Sequence, residues 1–205
     1  MATKLVVGLG NPGREYEKTR HNLGFRVLDA LTAQDKSWSA FKNEKTGPGT
    51  ANAPYRVSEC ARKRGSEERR FLVEPHTFMN LSGHCVKGVL QKYEGAEMLV
   101  VHDEAALPLG TLRFRENGSS AGQNGVESII AALGTQDFAR LRLGIGKQMQ
   151  GSLSDYVLGP FAEAERPVAD QMIRTAVEAV NYWLDHGTKA AMNQFNAKQT
   201  KEEQQ

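Results

Sequence analysis

The sequence predicts an α/β fold: a single domain with a twisted, mixed β-sheet covered by helices on both faces. Three observations carry this. Short apolar runs of strand length alternate with amphipathic stretches of helical period. The 205 residues suffice for one such domain with a substantial core. The composition, 40% hydrophobic and 24% charged, is that of an ordinary globular chain. No internal repeat is evident. The domain is expected over residues 1–197, with a short polar tail over 198–205.

The elements follow in order. Residues 4–9, KLVVGL, read as a short buried strand. Residues 14–21 are polar and carry no apolar stripe. Helical spacing begins with Phe25, Leu28 and Leu31, and Asn22 is placed to cap that helix. Residues 34–54 read as a long loop, broken by Gly47-Pro48-Gly49. Strands are expected near 55–60 and 70–74. Between them the basic run Arg62-Lys63-Arg64 reads as a solvated hairpin connection rather than an RNA contact. A helix follows to about Tyr93, with Val86, Val89 and Leu90 inward. Met98–Val101 is a buried strand ending at His102-Asp103-Glu104.

Leu112–Arg115 alternates like a half-exposed strand. A glycine- and serine-rich loop over 118–125 leads into a helix through Ile129, Ile130 and Leu133. Residues 140–145 alternate again. A last long helix is expected over about 163–185, with Val168, Met172, Ala176, Val180 and Trp183 (or Leu184) on its inner face.

Charge and cysteine usage narrow the class. A net charge of +2 announces no general polyanion binder, so any basic surface must be local. Cys60 and Cys85 lack metal-ligand or redox spacing and suit a reducing compartment. The N-terminus lacks the apolar stretch of a secretory signal, and no segment approaches the roughly 20 apolar residues of a membrane span. A cytoplasmic or organellar protein is expected.

One motif invites a wrong reading. Gly8-x-Gly10-x-x-Gly13 has the spacing of a dinucleotide-binding loop. Such a loop needs a helix N-terminus at its third glycine to meet the pyrophosphate. Here Pro12 lacks an N–H and residues 14–21 have no helical pattern, so a tight exit turn is the simpler reading. A nucleotide-dependent oxidoreductase rests on this spacing alone.

Polar residues collect at comparable places around the predicted sheet. Asn11 and His21 lie in the exit loop of the first strand, Asp103 ends a strand, and Asn80 and Asn124 precede helices. Taken singly, the asparagines could be caps, Asp103 a turn acceptor and His21 a loop residue. Together they can build a hydrolytic site. A histidine can take a proton from water, a carboxylate on its other nitrogen fixes the tautomer, and amide N–H groups can hold an oxyanion. No nucleophile elbow and no metal-ligand spacing is present. Water attack promoted by His21 is therefore the simplest chemistry, with no cofactor and no metal.

The chain resembles the bacterial-type peptidyl-tRNA hydrolase family. The blocks that carry the likeness are GLGNPGREYEKTRHNLGF (8–25), FMNLSG (78–83), VVHDE (100–104) and GSSAGQNGVESII (118–130). RLRLGIG (140–146) and SDYVLGPF (154–161) support it. The resemblance implies hydrolysis of the ester joining a peptide to the 3′ ribose of tRNA, recycling tRNA during translation. It implies His21 as general base, Asp103 as its orienting carboxylate, and Asn11 with Asn124 at the water or the substrate carbonyl. Asn80 with Met79 would hold the peptide backbone, and Tyr16 would lie beside the terminal nucleotide. Arg113, Arg115 and Arg142 resemble basic positions that contact acceptor-stem phosphates. Arg140 and Lys147 could join them, although a solvated face accounts for Arg140 equally well. A monomer is the family expectation.

The likeness has departures. Ala121 and Gln123 stand where the family usually has glycine and histidine. Ala106 stands where it has an acidic residue, and Glu74 where it often has lysine, which would make that rim less basic. These departures motivate an alternative, a catalytically weakened RNA-binding relative on the same scaffold, as known among plastid splicing factors of this fold.

Overall fold

A computed structural model describes residues 2–47, 52–61, 67–147 and 151–196. The strands are β1 (Thr3–Gly8), β2 (Lys42–Lys45), β3 (Pro54–Glu59), β4 (Arg69–Pro75), β5 (Glu97–Glu104), β6 (Leu112–Arg115) and β7 (Ala139–Gly144), and all but β2 fall where apolar runs lie. The helices are α1 (Leu23–Gln34), α2 (Ser82–Lys92), α3 (Asn124–Leu133), α4 (Leu153–Leu158) and α5 (Arg166–Ala191). The strands form one sheet in the order β2-β3-β4-β1-β5-β7-β6. Its centre is parallel, with β1 between β4 and β5 and β7 beside β5. Both flanks are antiparallel, through β2-β3-β4 on one side and β6-β7 on the other.

Alternation along the central strands sets the layers. Val6, Leu99 and Val101 pack with α1 and α5 on one face. Leu5, Val7 and Val100 pack with α2 and α3 on the other. A sheet covered on both faces explains why β1 and β5 read as near-continuous apolar runs. The parallel centre also sends the carboxyl ends of β1, β4 and β5 to one edge, where ligands bind in open α/β sheets.

One close approach fixes the geometry of that edge. A Cβ on Gly24 would lie 2.2 Å from the Leu9 nitrogen and 2.5 Å from the Val101 oxygen. Only glycine lets the first turn of α1 settle onto the ends of β1 and β5. The residues just before α1 are thereby brought over the end of β5.

Several elements depart from the expectation. The loop expected over 34–54 contains β2, which pairs antiparallel with β3. Its sequence KNEK is mostly exposed at the sheet edge and has no apolar alternation to betray it. The short helix α4 was also unmarked by periodicity, being only six residues long. The last long helix begins at Arg166 after a 3-10 turn over Glu163–Glu165. Its regular part breaks at Gly187 (φ 77°, ψ 179°), close to the expected end, and helical structure resumes to Ala191. Val168, assigned to its inner face, is 44% exposed, while Ala169, Met172, Ala176, Val180 and Trp183 are buried.

Glu74 is not on a rim. It is fully buried in β4, with Arg56 Nη1 2.9 Å from Oε2. Burial, followed by the charge of Asp29, pushes its carboxyl up to about 8 against the pull of Arg56. The basic run at 62–64 and the tail from 198 lie outside the described residues. Among the described residues no helix is long and apolar enough to cross a membrane.

Candidate active site

The loop after β1 is a turn, as the proline and glycines suggested. Gly13 has φ 120°, a conformation that favours glycine. No helix starts there, and the chain runs through turns to a short 3-10 segment over Arg20–Asn22. Asn22 does not cap α1 with its side chain. It clamps Asn11 instead: Asn22 Nδ2 donates to the Asn11 carbonyl at 2.9 Å, and Asn22 Oδ1 accepts from Asn11 N at 2.8 Å. The Asn11 side chain is fixed in turn, because Met79 N donates to its Oδ1 at 2.8 Å. Its Nδ2 is the donor left for the cleft.

His21 is held from two sides. Arg20, its neighbour, is buried and donates to the carbonyls of Tyr156, Gly159 and Pro160. It also pairs with Glu165 at 2.7 Å and lies over the rings of Tyr156 and Phe161. On the other side His21 Nδ1 lies 3.0 and 2.9 Å from the two carboxylate oxygens of Asp103. Alternation along β5 aims Asp103 to the same face as Val101, the face of α1. With Nδ1–H donated to the carboxylate, Nε2 carries the lone pair.

Asp103 is buried, and burial alone would raise its pKa. The charge and hydrogen bond of His21, the bond from Gln123 and the charge of His102 outweigh it. The carboxyl is held below the usual carboxylate range. The neighbouring His102 is pushed down by its own complete burial, against the charge of Asp103, and donates Nδ1–H to the Asp103 carbonyl at 2.8 Å.

Gln123, read from the sequence only as a departure, belongs to this cluster. Its Nε2 donates to Asp103 Oδ1 at 3.1 Å and lies 3.5 Å from Met79 Sδ. Its Oε1 caps α3 by accepting from Val126 N at 2.8 Å. Asn124 is therefore not the cap; it is the exposed first residue of α3. Asn80 does not cap α2 either, since the residue before that helix is Leu81 and no side-chain cap bond forms.

These residues line one cleft of about 980 Å³: Asn11, Tyr16, His21, Met79, Asn80, Asp103 and Asn124, with Gln123 and Lys147. Its mouth is apolar. Phe78 (56% exposed), Leu81, Leu153 and Leu158 add exposed apolar side chains to its lining. The part of this lining contributed by α4 comes from the short helix that periodicity does not reveal.

The arginines form a separate surface beside the cleft. Antiparallel pairing puts Arg113 opposite Arg142 and Arg115 opposite Arg140, all on one face. Arg115, Arg140 and Arg142 line a pocket of about 410 Å³ with His102 and residues of the 116–121 loop. They are not equivalent. Arg142 is bound through Nε and Nη2 to the buried Glu104 at 2.9 and 2.7 Å, so part of its guanidinium is partnered within the protein. Arg140 is buried and donates to the carbonyls of Ser119 and Gln136, which makes it a brace for the loop. Arg115 is exposed and Arg113 half-buried. Lys147 lines the cleft with His21 and Asp103 rather than this pocket.

Ala121 adopts φ 50° within the same loop. A side chain in that region costs roughly 1–2 kcal/mol. Ala121→Gly is expected to raise the melting temperature by a few degrees, as calorimetry would show. An unchanged or lower value would mean that the loop relaxes without cost.

A buried histidine paired with a carboxylate, at the carboxyl edge of a mixed sheet, is an arrangement suited to a hydrolytic α/β enzyme. The sequence matches the family model described as peptidyl-tRNA hydrolase over residues 5–204. Similar curated proteins with that name include one from Desulforamulus reducens, 46% identical over 197 residues, covering 95% of this chain and 89% of the relative. Another, from Akkermansia muciniphila, is 44% identical and covers 95% and 96%. The crystal structure of peptidyl-tRNA hydrolase from Acinetobacter baumannii superposes with a TM-score of 0.80 at 32% identity, covering 95% of each chain. The chain belongs to the peptidyl-tRNA hydrolase family.

Proposed function

We propose that this chain hydrolyses the ester of peptidyl-tRNA by water attack, with His21 as general base. The observation that carries the reading is the His21–Asp103 pair opening onto an amide-lined cleft. His21 Nε2 takes a proton from water as the water adds to the ester carbonyl. Asp103 stabilises the imidazolium that forms. Asn11 Nδ2 and the Asn124 amide are donors for the developing oxyanion. The imidazolium then returns its proton to the departing ribose oxygen as the carbon–oxygen bond breaks, leaving the hydroxyl. An ester has a better leaving group than an amide, so this modest base suffices without cutting peptide bonds.

Asn80 holds the peptide backbone. Met79 contributes its side chain, because its N–H is already committed to Asn11. Amides that grip backbone accept many peptide sequences. Tyr16 offers a ring for the terminal base or a hydroxyl for its ribose.

The direct test is turnover of a peptidyl-tRNA by the purified wild-type protein beside an aminoacyl-tRNA. Cleavage of the first and sparing of the second are expected, since an aminoacyl ester lacks the peptide backbone that Asn80 would hold. RNA binding with the ester left intact would overturn the reading in favour of a non-catalytic relative.

Arg113 and Arg115 are the phosphate ligands in this reading. Arg113→Ala is expected to weaken tRNA binding and reduce the salt slope by about 0.9 for one phosphate contact. A titration series from low to moderate salt measures it. An unchanged slope would remove Arg113 from the RNA surface.

A further inference from the structure

We infer that Gln123 is a positioning residue that locks the Asp103 carboxylate onto His21. The inference rests on the general-base reading and deepens it. Its basis is the bonding of one buried amide. Gln123 Oε1 accepts from Val126 N at 2.8 Å, and a backbone N–H can only donate. That bond settles which end of the amide is oxygen. Nε2 must then face Asp103 Oδ1, at 3.1 Å, as a donor.

Asp103 thus receives two donors, His21 Nδ1 from the turn before α1 and Gln123 Nε2 from the start of α3. Two donors from two elements fix the rotation of the carboxylate, where one would leave it free to swing. Among the described residues the charged or titratable groups that act on Asp103 are His21 and His102, the latter beside it on β5. Gln123 adds a donor without adding a charge or a proton to exchange. It favours the carboxylate over the protonated acid, and so keeps Asp103 an acceptor for His21.

The same side chain joins the site to the loop that carries Asn124. Capping α3 fixes the helix start, and the contact with Met79 Sδ reaches the segment that holds Asn11. Asn11, Asn124 and the base are therefore referenced to one residue.

The test replaces the donor and keeps the shape. Gln123→Glu retains side-chain length and a cap acceptor but sets a second carboxylate against Asp103. Its kcat is expected to fall about 10- to 100-fold, the worth of a hydrogen bond to a charged group. KM should change little. The acid limb of the kcat/KM profile should move to higher pH, because added negative charge favours the imidazolium. Gln123→His, whose ring N–H can donate, should recover most of the lost kcat. If Gln123→Glu does not fold, Gln123→Met removes the donor without the charge and gives the same kcat comparison.

A variant with altered melting temperature or KM but wild-type kcat and acid limb would reduce Gln123 to a helix cap and overturn the inference. His21→Ala is measured alongside. If it retains turnover, the general-base reading fails and the inference falls with it. If it is inactive while Gln123→Glu behaves as wild type, the inference about Gln123 alone fails.

Discussion

Replacing His21 by alanine is expected to cut turnover about 10²–10⁴-fold, the range for loss of a general base. Binding of peptidyl-tRNA should remain near the wild-type level. The imidazole is buried and its Nδ1 is already bound to Asp103, so only Nε2 meets the cleft. The contacts assigned to the peptide and tRNA come from other residues: Asn80, Tyr16, Arg113 and Arg115. Single-turnover hydrolysis beside a binding titration separates the two effects. Turnover within a few fold of wild type would remove His21 from the chemistry.

Asp103→Asn should do comparable or greater damage, on the order of 10⁴-fold, as when a carboxylate that orients a catalytic histidine becomes an amide. The reason here lies in the partners. Gln123 Nε2 is a donor fixed by the cap bond to Val126, so it calls for an oxygen at the Oδ1 position. An asparagine obliged to put its oxygen there places its NH₂ where Oδ2 lay, 2.9 Å from His21 Nδ1. That amide can only donate. It favours the tautomer with the proton on Nε2, which leaves no lone pair toward water. Nitrogen NMR of the His21 ring would report the tautomer, and kcat the consequence. A variant with wild-type turnover would show that the orientation of His21 does not depend on Asp103.

The parts of this site differed in how openly the sequence displayed them. His21, Asp103, Asn11, Asn80 and Asn124 could be read because each follows or precedes a strongly periodic element, and strand ends in an α/β sheet converge. Periodicity reports burial, so it found the central strands and the long helices. It could not find β2, whose two faces are both polar, or α4, which is too short to show a stripe. Bonds between polar side chains leave no periodic trace. Asn22 looked like a helix cap and proved to be a clamp on Asn11. Gln123 looked like a substitution in a loop and proved to be both cap and carboxylate donor. The pairing of Arg142 with Glu104 was hidden for the same reason, since it depends on β5 lying beside β7. Glu74 was misplaced for the converse reason, since a charge within an apolar strand reads as surface until its partner is seen.

The anchorage of Arg20 has a consequence for how activity is acquired. The turn bearing His21 is held by carbonyls of residues 156, 159 and 160 and by Glu165, more than 130 positions further along the chain. Contacts of such high sequence separation form only after much of the chain has been ordered. Every residue assigned to catalysis lies before position 125, yet a nascent chain that has emerged only that far lacks the support that sets its base. Esterase activity would then arrive with the last quarter of the polypeptide. A copy still short of residues 156–165 would carry the turn of His21 without the anchor of Arg20.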